Sequence, residues 1–142
     1  MKKGFTLVEL LIVLAVIAAL MAVATPLALN AVKNAKASQV AQNFRNIKAA
    51  VENYWNTEKN TNAFTLNDLV TKGYLSTASQ NFSQNYSIAI AADGTNPGTY
   101  NVTITYSGKD TDVTRVQSNG MQEVTATAGG DLTLTFSLQK WW

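Results

Sequence analysis

The chain of 142 residues has no cysteine, no histidine and two prolines. The first two absences exclude a disulfide framework, a thiol nucleophile, an imidazole base and the common zinc sites. Its stability must come from packing. Charge is also sparse: 14% of residues are Asp, Glu, Lys or Arg, and the formal charge of +2 equals what Lys2 and Lys3 carry. Such a balance supplies no strong basic patch for nucleic acid. Asp110 and Asp112, with Asp93, offer oxygen ligands of the kind calcium takes, but Lys109 stands beside them and no further acid follows at loop spacing. A solvated turn is the reading, with no metal and no cofactor. The remaining catalytic routes need paired carboxylates, a Ser–Lys arrangement or a metal, and no spacing supports one. No catalytic residue is assigned, and the chain is read as a non-enzyme.

Glycine is missing too between Gly4 and Gly73, so nothing flexible interrupts the first third of the sequence. What fills it is the run of residues 5–29, FTLVELLIVLAVIAALMAVATPLAL, whose single ionisable group is Glu9. At about 1.5 Å per residue this run is long enough to cross a hydrocarbon core of roughly 30 Å. A secretory signal peptide would have a shorter apolar core followed by a small-residue cleavage site, whereas here the basic start Met1-Lys2-Lys3-Gly4 comes directly before an uninterrupted run. Lysines and arginine flank both sides of it, and because long translocated domains largely ignore such charges, the short amino terminus is placed inside and the head outside.

Pro26 removes a backbone donor and crowds the carbonyl of Ala22, which makes it the expected kink position. Beyond it Val40, Phe44, Ile47, Val51 and Tyr54 recur at spacings of four and three, so the helix turns amphipathic. The first polar stop is residues 56–62, giving a helix of some 50 residues, about 75 to 80 Å long. Thr65 and Asp68 fit a capping box for a short second helix with Leu66, Leu69 and Val70 on its apolar side and Gly73 closing it. From Tyr86 the period becomes two, in Tyr86, Ile88 and Ile90, in Tyr100, Val102, Ile104 and Tyr106, and in Leu132, Leu134, Phe136 and Leu138. A further strand is expected over residues 121–127 and a weaker one near 112–117. Turn signals at Asp93-Gly94, Asn119-Gly120 and Gly129-Gly130 make neighbouring strands antiparallel, one face on the helix and a threonine-rich face in water.

The fold class is therefore α+β: a long amino-terminal helix, membrane-spanning in its first half and amphipathic in its second, packed on a roughly four-stranded antiparallel sheet. The expected organisation is residues 1–4 as a leader, 5–29 as a transmembrane segment, and 30–142 as a head made of helix 30–58, connecting segment 59–85 and sheet 86–140.

Lys2-Lys3-Gly4-Phe5-Thr6-Leu7-Val8-Glu9, followed by the apolar run, resembles the class III leader of type IV prepilins and pseudopilins, and residues 65–75 resemble the segment many of them carry between long helix and sheet. The resemblance implies the pilin fold, cleavage between Gly4 and Phe5 by a prepilin peptidase, and N-methylation at Phe5. It also implies an assembly platform with its ATPase, and a precursor held in the cytoplasmic membrane before export into an extracellular filament. Many pilins close their carboxy-terminal region with a disulfide, which this chain lacks. The function so implied is a structural subunit of a type IV pilus, a helical homopolymer built on the amino-terminal helix and serving adhesion, twitching motility or DNA uptake. Alternatives are a pseudopilin of a secretion or competence system and a single-pass anchored binding module. Glu9 either lies at the membrane edge or meets the Phe5 amine of a neighbouring subunit, because an unpaired carboxylate in hydrocarbon is costly. Trp141 and Trp142 either cover the edge of the sheet or contact a neighbour.

Overall fold

The structure is a computed structural model, described over residues 4–76 and 84–142. Residues 1–3 of the expected leader and 77–83 of the expected connecting segment lie outside the described residues. Helix α1 spans Leu7–Glu58 as one element of 52 residues with Pro26 inside it, which corresponds to about 78 Å. It ends where Lys59 turns left-handed (φ 51°) and its amide donates to the Trp55 carbonyl at 3.2 Å. Residues 4–35 are exposed throughout, whereas Ala37, Val40, Ala41, Phe44, Ile47, Ala50, Val51, Tyr54 and Trp55 are buried. The expected stripe is this buried face, with Ala37, Ala41 and Ala50 interleaved in it.

Helix α2, Leu66–Thr71, has the anticipated box: Thr65 Oγ1 accepts the Asp68 amide at 3.3 Å and the Asp68 carboxylate accepts the Thr65 amide at 2.7 Å. Gly73, at φ 82°, supplies the left-handed residue that ends it. The amide of Tyr74 then donates to Leu69 and that of Gly73 to Val70, the paired bonds of a Schellman closure. Glu58 accepts from Lys72 at 3.1 Å and from the Tyr74 hydroxyl at 2.9 Å, tying α2 to the end of α1.

The sheet contains β1 (Tyr86–Ala92), β2 (Thr99–Tyr106), β3 (Thr125–Ala126) and β4 (Leu132–Gln139), all pairs antiparallel, in the order β1-β2-β4-β3. The register places Ile104 opposite Leu134 and Tyr106 opposite Leu132 on the face against α1. The other face carries Thr103 against Thr135 and Thr125 against Thr133, their hydroxyls 3.4 and 2.9 Å apart. Alternation along β2 and β4 thus places apolar residues in the core and hydroxyls outside.

Two expectations fail in the segment between β2 and β4. The weak strand near 112–117 is instead helix α3, Val113–Ser118, because Asp112 caps it by accepting the Arg115 amide at 2.9 Å and Val116 is driven inward against α1. The strand expected over 121–127 shrinks to the two residues of β3. Met121 and Val124 are both buried, yet they stand three apart in a turn whose Val124 amide donates to Met121, and period two cannot bury both. Of the terminal pair, Trp142 closes the end of the helix–sheet sandwich, while Trp141 stays 59% exposed with its indole donating to Asn56 at 3.0 Å. Trp142 packs on Trp55 at 5.1 Å, Trp55 on Tyr100 at 5.0 Å, and the Trp55 indole donates to the Gln139 carbonyl at 3.1 Å.

Candidate assembly site

The amino-terminal end of α1 is built on Thr6. Its backbone is extended (φ −75°, ψ 160°), its Oγ1 accepts the Glu9 amide at 3.1 Å, and Glu9 Oε2 accepts the Thr6 amide at 3.3 Å. Two donors that a helix start leaves open are answered by this reciprocal pair. A negative charge here is also favoured by the helix dipole. The carboxylate is therefore held toward the chain start, and its second oxygen, Oε1, has no hydrogen bond among the described residues.

Gly4 and Phe5 precede the cap and are exposed, Phe5 to 85%. A Cβ built on Gly4 meets nothing within 4 Å, so packing within this chain places no demand for glycine there. Gly4, Phe5 and Glu9 thus share one short stretch. Pro26 lies 17 residues beyond Glu9, about 25 Å along the axis, and takes no part in it. Thr6 belongs to the sequence motif, and the cap gives it a structural role. Its signal is the same threonine-x-x-acid spacing that identifies the start of α2 at Thr65 and Asp68.

From this cap onward the helix presents apolar side chains in every direction, including Leu20 at 64% and Val23 at 71% exposure. It is long and apolar enough to cross a membrane, and none of its most apolar stretch is buried within the chain.

At the other end of the bare segment, the aspartates considered as calcium ligands are engaged with protein groups. Asp110 accepts from the Tyr106 hydroxyl and pairs with Lys36 at 3.4 Å, while Asp112 caps α3 and pairs with Arg115. Beside Tyr106 the buried Tyr86 hydroxyl accepts from Asn43 at 3.0 Å. Burial pushes the Tyr86 phenol up to about 12, against a smaller opposing effect of the Asn43 bond. Tyr106 is also raised, first by burial and then by its bond to the Asp110 carboxylate, which favours the protonated phenol. Among the described residues no group of three or more His, Cys, Asp or Glu could hold a metal ion.

Neither the curated proteins nor the solved structures contain a significant match to this chain. Residues 1–25 match the model of the prokaryotic N-terminal methylation motif. That motif suggests a structural role and, with the apolar helix behind it, fits a membrane-anchored precursor. Its span covers the site just described, so the amino-terminal segment carries the methylation motif of class III prepilin leaders, consistent with type IV pilins and pseudopilins.

Proposed function

We propose that the chain is the structural subunit of a type IV pilus. A prepilin peptidase cuts between Gly4 and Phe5, Phe5 becomes the N-methylated terminus, and residues 5–29 then pass from the cytoplasmic membrane into the core of a helical homopolymer, driven by an assembly platform and its ATPase. The observation that carries this reading is the bare first half of α1: residues 4–29 are exposed throughout, and their one carboxylate stands at the very start. The unconstrained surroundings of Gly4 support a demand for glycine that comes from an enzyme and not from the fold.

Phe5 and Glu9 are four residues apart, so a neighbour whose Phe5 amine meets this carboxylate is displaced by about 6 Å, one helical turn. The contact is heterologous and does not close, which generates an open filament. Glu9 Oε1 is the acceptor left for that amine, since Oε2 is used by Thr6. In hydrocarbon both partners otherwise bear a desolvation cost. Adhesion, motility and DNA uptake are tasks such a filament serves.

The test is the intact mass of the chain recovered from sheared filaments. Loss of residues 1–4 with gain of one methyl group is the expected result. An unprocessed chain overturns the processing, and a processed chain that stays wholly with the membrane overturns the filament in favour of a pseudopilin or an anchored module.

A further inference from the structure

Strand β1 is an edge of the sheet, pairing with β2 alone. The Ser107 amide donates to the Asn85 carbonyl and the Asp93 amide to the Thr99 carbonyl. In an antiparallel pair the bonded residues alternate, so in this register the odd-numbered residues of β1 are bonded to β2. The amides and carbonyls of Ile88, Ile90 and Ala92 consequently point away from the sheet, and they have no backbone partner among the described residues.

Natural edge strands are usually blunted by a charge, a proline, a bulge or extreme shortness. The seven residues of β1, Tyr-Ser-Ile-Ala-Ile-Ala-Ala, include none of these devices. On the face toward the core, Ile88 and Ile90 are half-buried, while Ser87, Ala89 and Ala91 on the opposite face are small and exposed. What completes this edge must be an extended strand with apolar residues on one face, small ones on the other and no charge. β1 itself meets that description.

We propose that the edge of β1 is a docking surface for β1 of a second copy of this chain, paired antiparallel about a twofold axis midway between the two Ala89 residues. In that register Ser87 faces Ala91, Ile88 faces Ile90, and Ala89 faces its own counterpart. Ile88 and Ile90 bond to the partner through the backbone groups that have no backbone partner among the described residues, and their side chains from both copies extend one apolar face across eight strands. Ala89, bonded to β2 on its inner side, becomes a non-bonded pair across the axis, the closest kind, with Cα atoms about 4.5 Å apart.

The axis is normal to the sheet, so it reverses every direction lying in the sheet plane. Helix α1 lies against that sheet, and the two copies of α1 therefore run in opposite senses. Such a contact cannot form between chains of one polarity in one membrane or one filament; it joins heads that approach from two membranes or two filaments. It is a separate surface from the amino-terminal assembly site, and it stands whether or not that site builds a pilus.

The absence of native cysteine makes the test direct. Full chain purified in detergent, where helices enter micelles in either sense, is oxidised mildly and run without reductant. Ala89→Cys is expected to run mainly as a dimer, while Thr103→Cys, on the same outer face but in the middle of the sheet, stays monomeric. Ala89→Lys places two like charges opposite each other and is expected to shift the sedimenting species from dimer to monomer without changing the circular dichroism spectrum. Equal cross-linking of the two cysteine variants overturns the proposal, as does an unchanged sedimentation coefficient for Ala89→Lys.

Discussion

Truncation at Phe44 tests whether the second half of α1 is a structural part of the head. Its ring has no exposed area and meets the Tyr86 ring edge-on at a centroid distance of 5.9 Å. A buried phenylalanine removes roughly 150 to 250 Å² from water, which at about 25 cal/mol per Å² is some 4 to 6 kcal/mol of transfer free energy. Measured Phe→Ala losses of about 3 to 5 kcal/mol are the better guide, because the site partly relaxes and the unfolded chain is itself partly collapsed. Residues 30–142 contain every buried residue among those described, so deletion of 1–29 is expected to leave a soluble head with helix and sheet both present in its circular dichroism. In that head Phe44→Ala should take away about 3 to 5 kcal/mol of a total of about 5 to 15. Urea unfolding followed by the emission of Trp55, whose burial makes it the reporter, measures the loss. In the full chain Leu20→Ala removes an equally apolar side chain at 64% exposure and should leave the head's midpoint unmoved. A loss below about 1 kcal/mol for Phe44→Ala, or a head that unfolds on removal of 1–29, refutes the packing argument.

Glu9→Leu should still be inserted and cleaved yet enter filaments poorly, whereas Glu9→Asp keeps part of the yield; undiminished sheared filaments from the leucine variant sink the pairing argument. The turn around Ala22 to Pro26 lacks one backbone bond and is the least costly place to extend, so a filament map is expected to show unwinding there, and unbroken helix from Phe5 through Tyr54 contradicts it. Tyr86 and Tyr106 are raised in the folded head, which means the unfolded chain, with phenols near 10, loses these protons first as pH rises. Their contribution is fully present below about pH 10 and is lost as pH climbs toward the folded value of about 12 for Tyr86. The urea midpoint should hold from neutral pH to about 9 and then fall, less steeply in Tyr86→Phe; a flat midpoint through pH 12 in the parent disproves it.

The long helix was legible because Val40, Phe44, Ile47, Val51 and Tyr54 repeat at a spacing that only a helix turns to one side, and all five are buried. β2 and β4 were legible for the corresponding reason at period two. The chain near Asp112 was not, since six residues are too few to display a helical period and the decisive event is a single side chain bonding to the Arg115 amide. Strand order was equally closed to inspection: β4 lies between β2 and β3, and that choice depends on packing between elements distant in sequence. At the assembly site, the resemblance identified Gly4, Phe5 and Glu9, but the role of Thr6 comes from geometry. The apolar residues around it draw attention to the membrane run and away from the cap at its head.

The unbroken passage of α1 from bare to buried also fixes how high the head stands. Leu7 to Leu29 covers about 35 Å, close to a hydrocarbon core of about 30 Å with modest tilt. Asn30 is the first strongly polar residue after Glu9, and both Asn30 and Asn34 accept from Arg115 of α3, at 3.4 and 2.9 Å. With residues 7–29 spanning the hydrocarbon, these bonds would fall at the level of the polar headgroups, with Lys33 on the same stretch. With the apolar run in a membrane, the head would be not a ball on a string but a cap held against the lipid surface by α3, its height set by a rigid stem. Drawing the subunit out of the bilayer must lift stem and head together, and the charged and amide groups around Arg115 are the first to leave the headgroups.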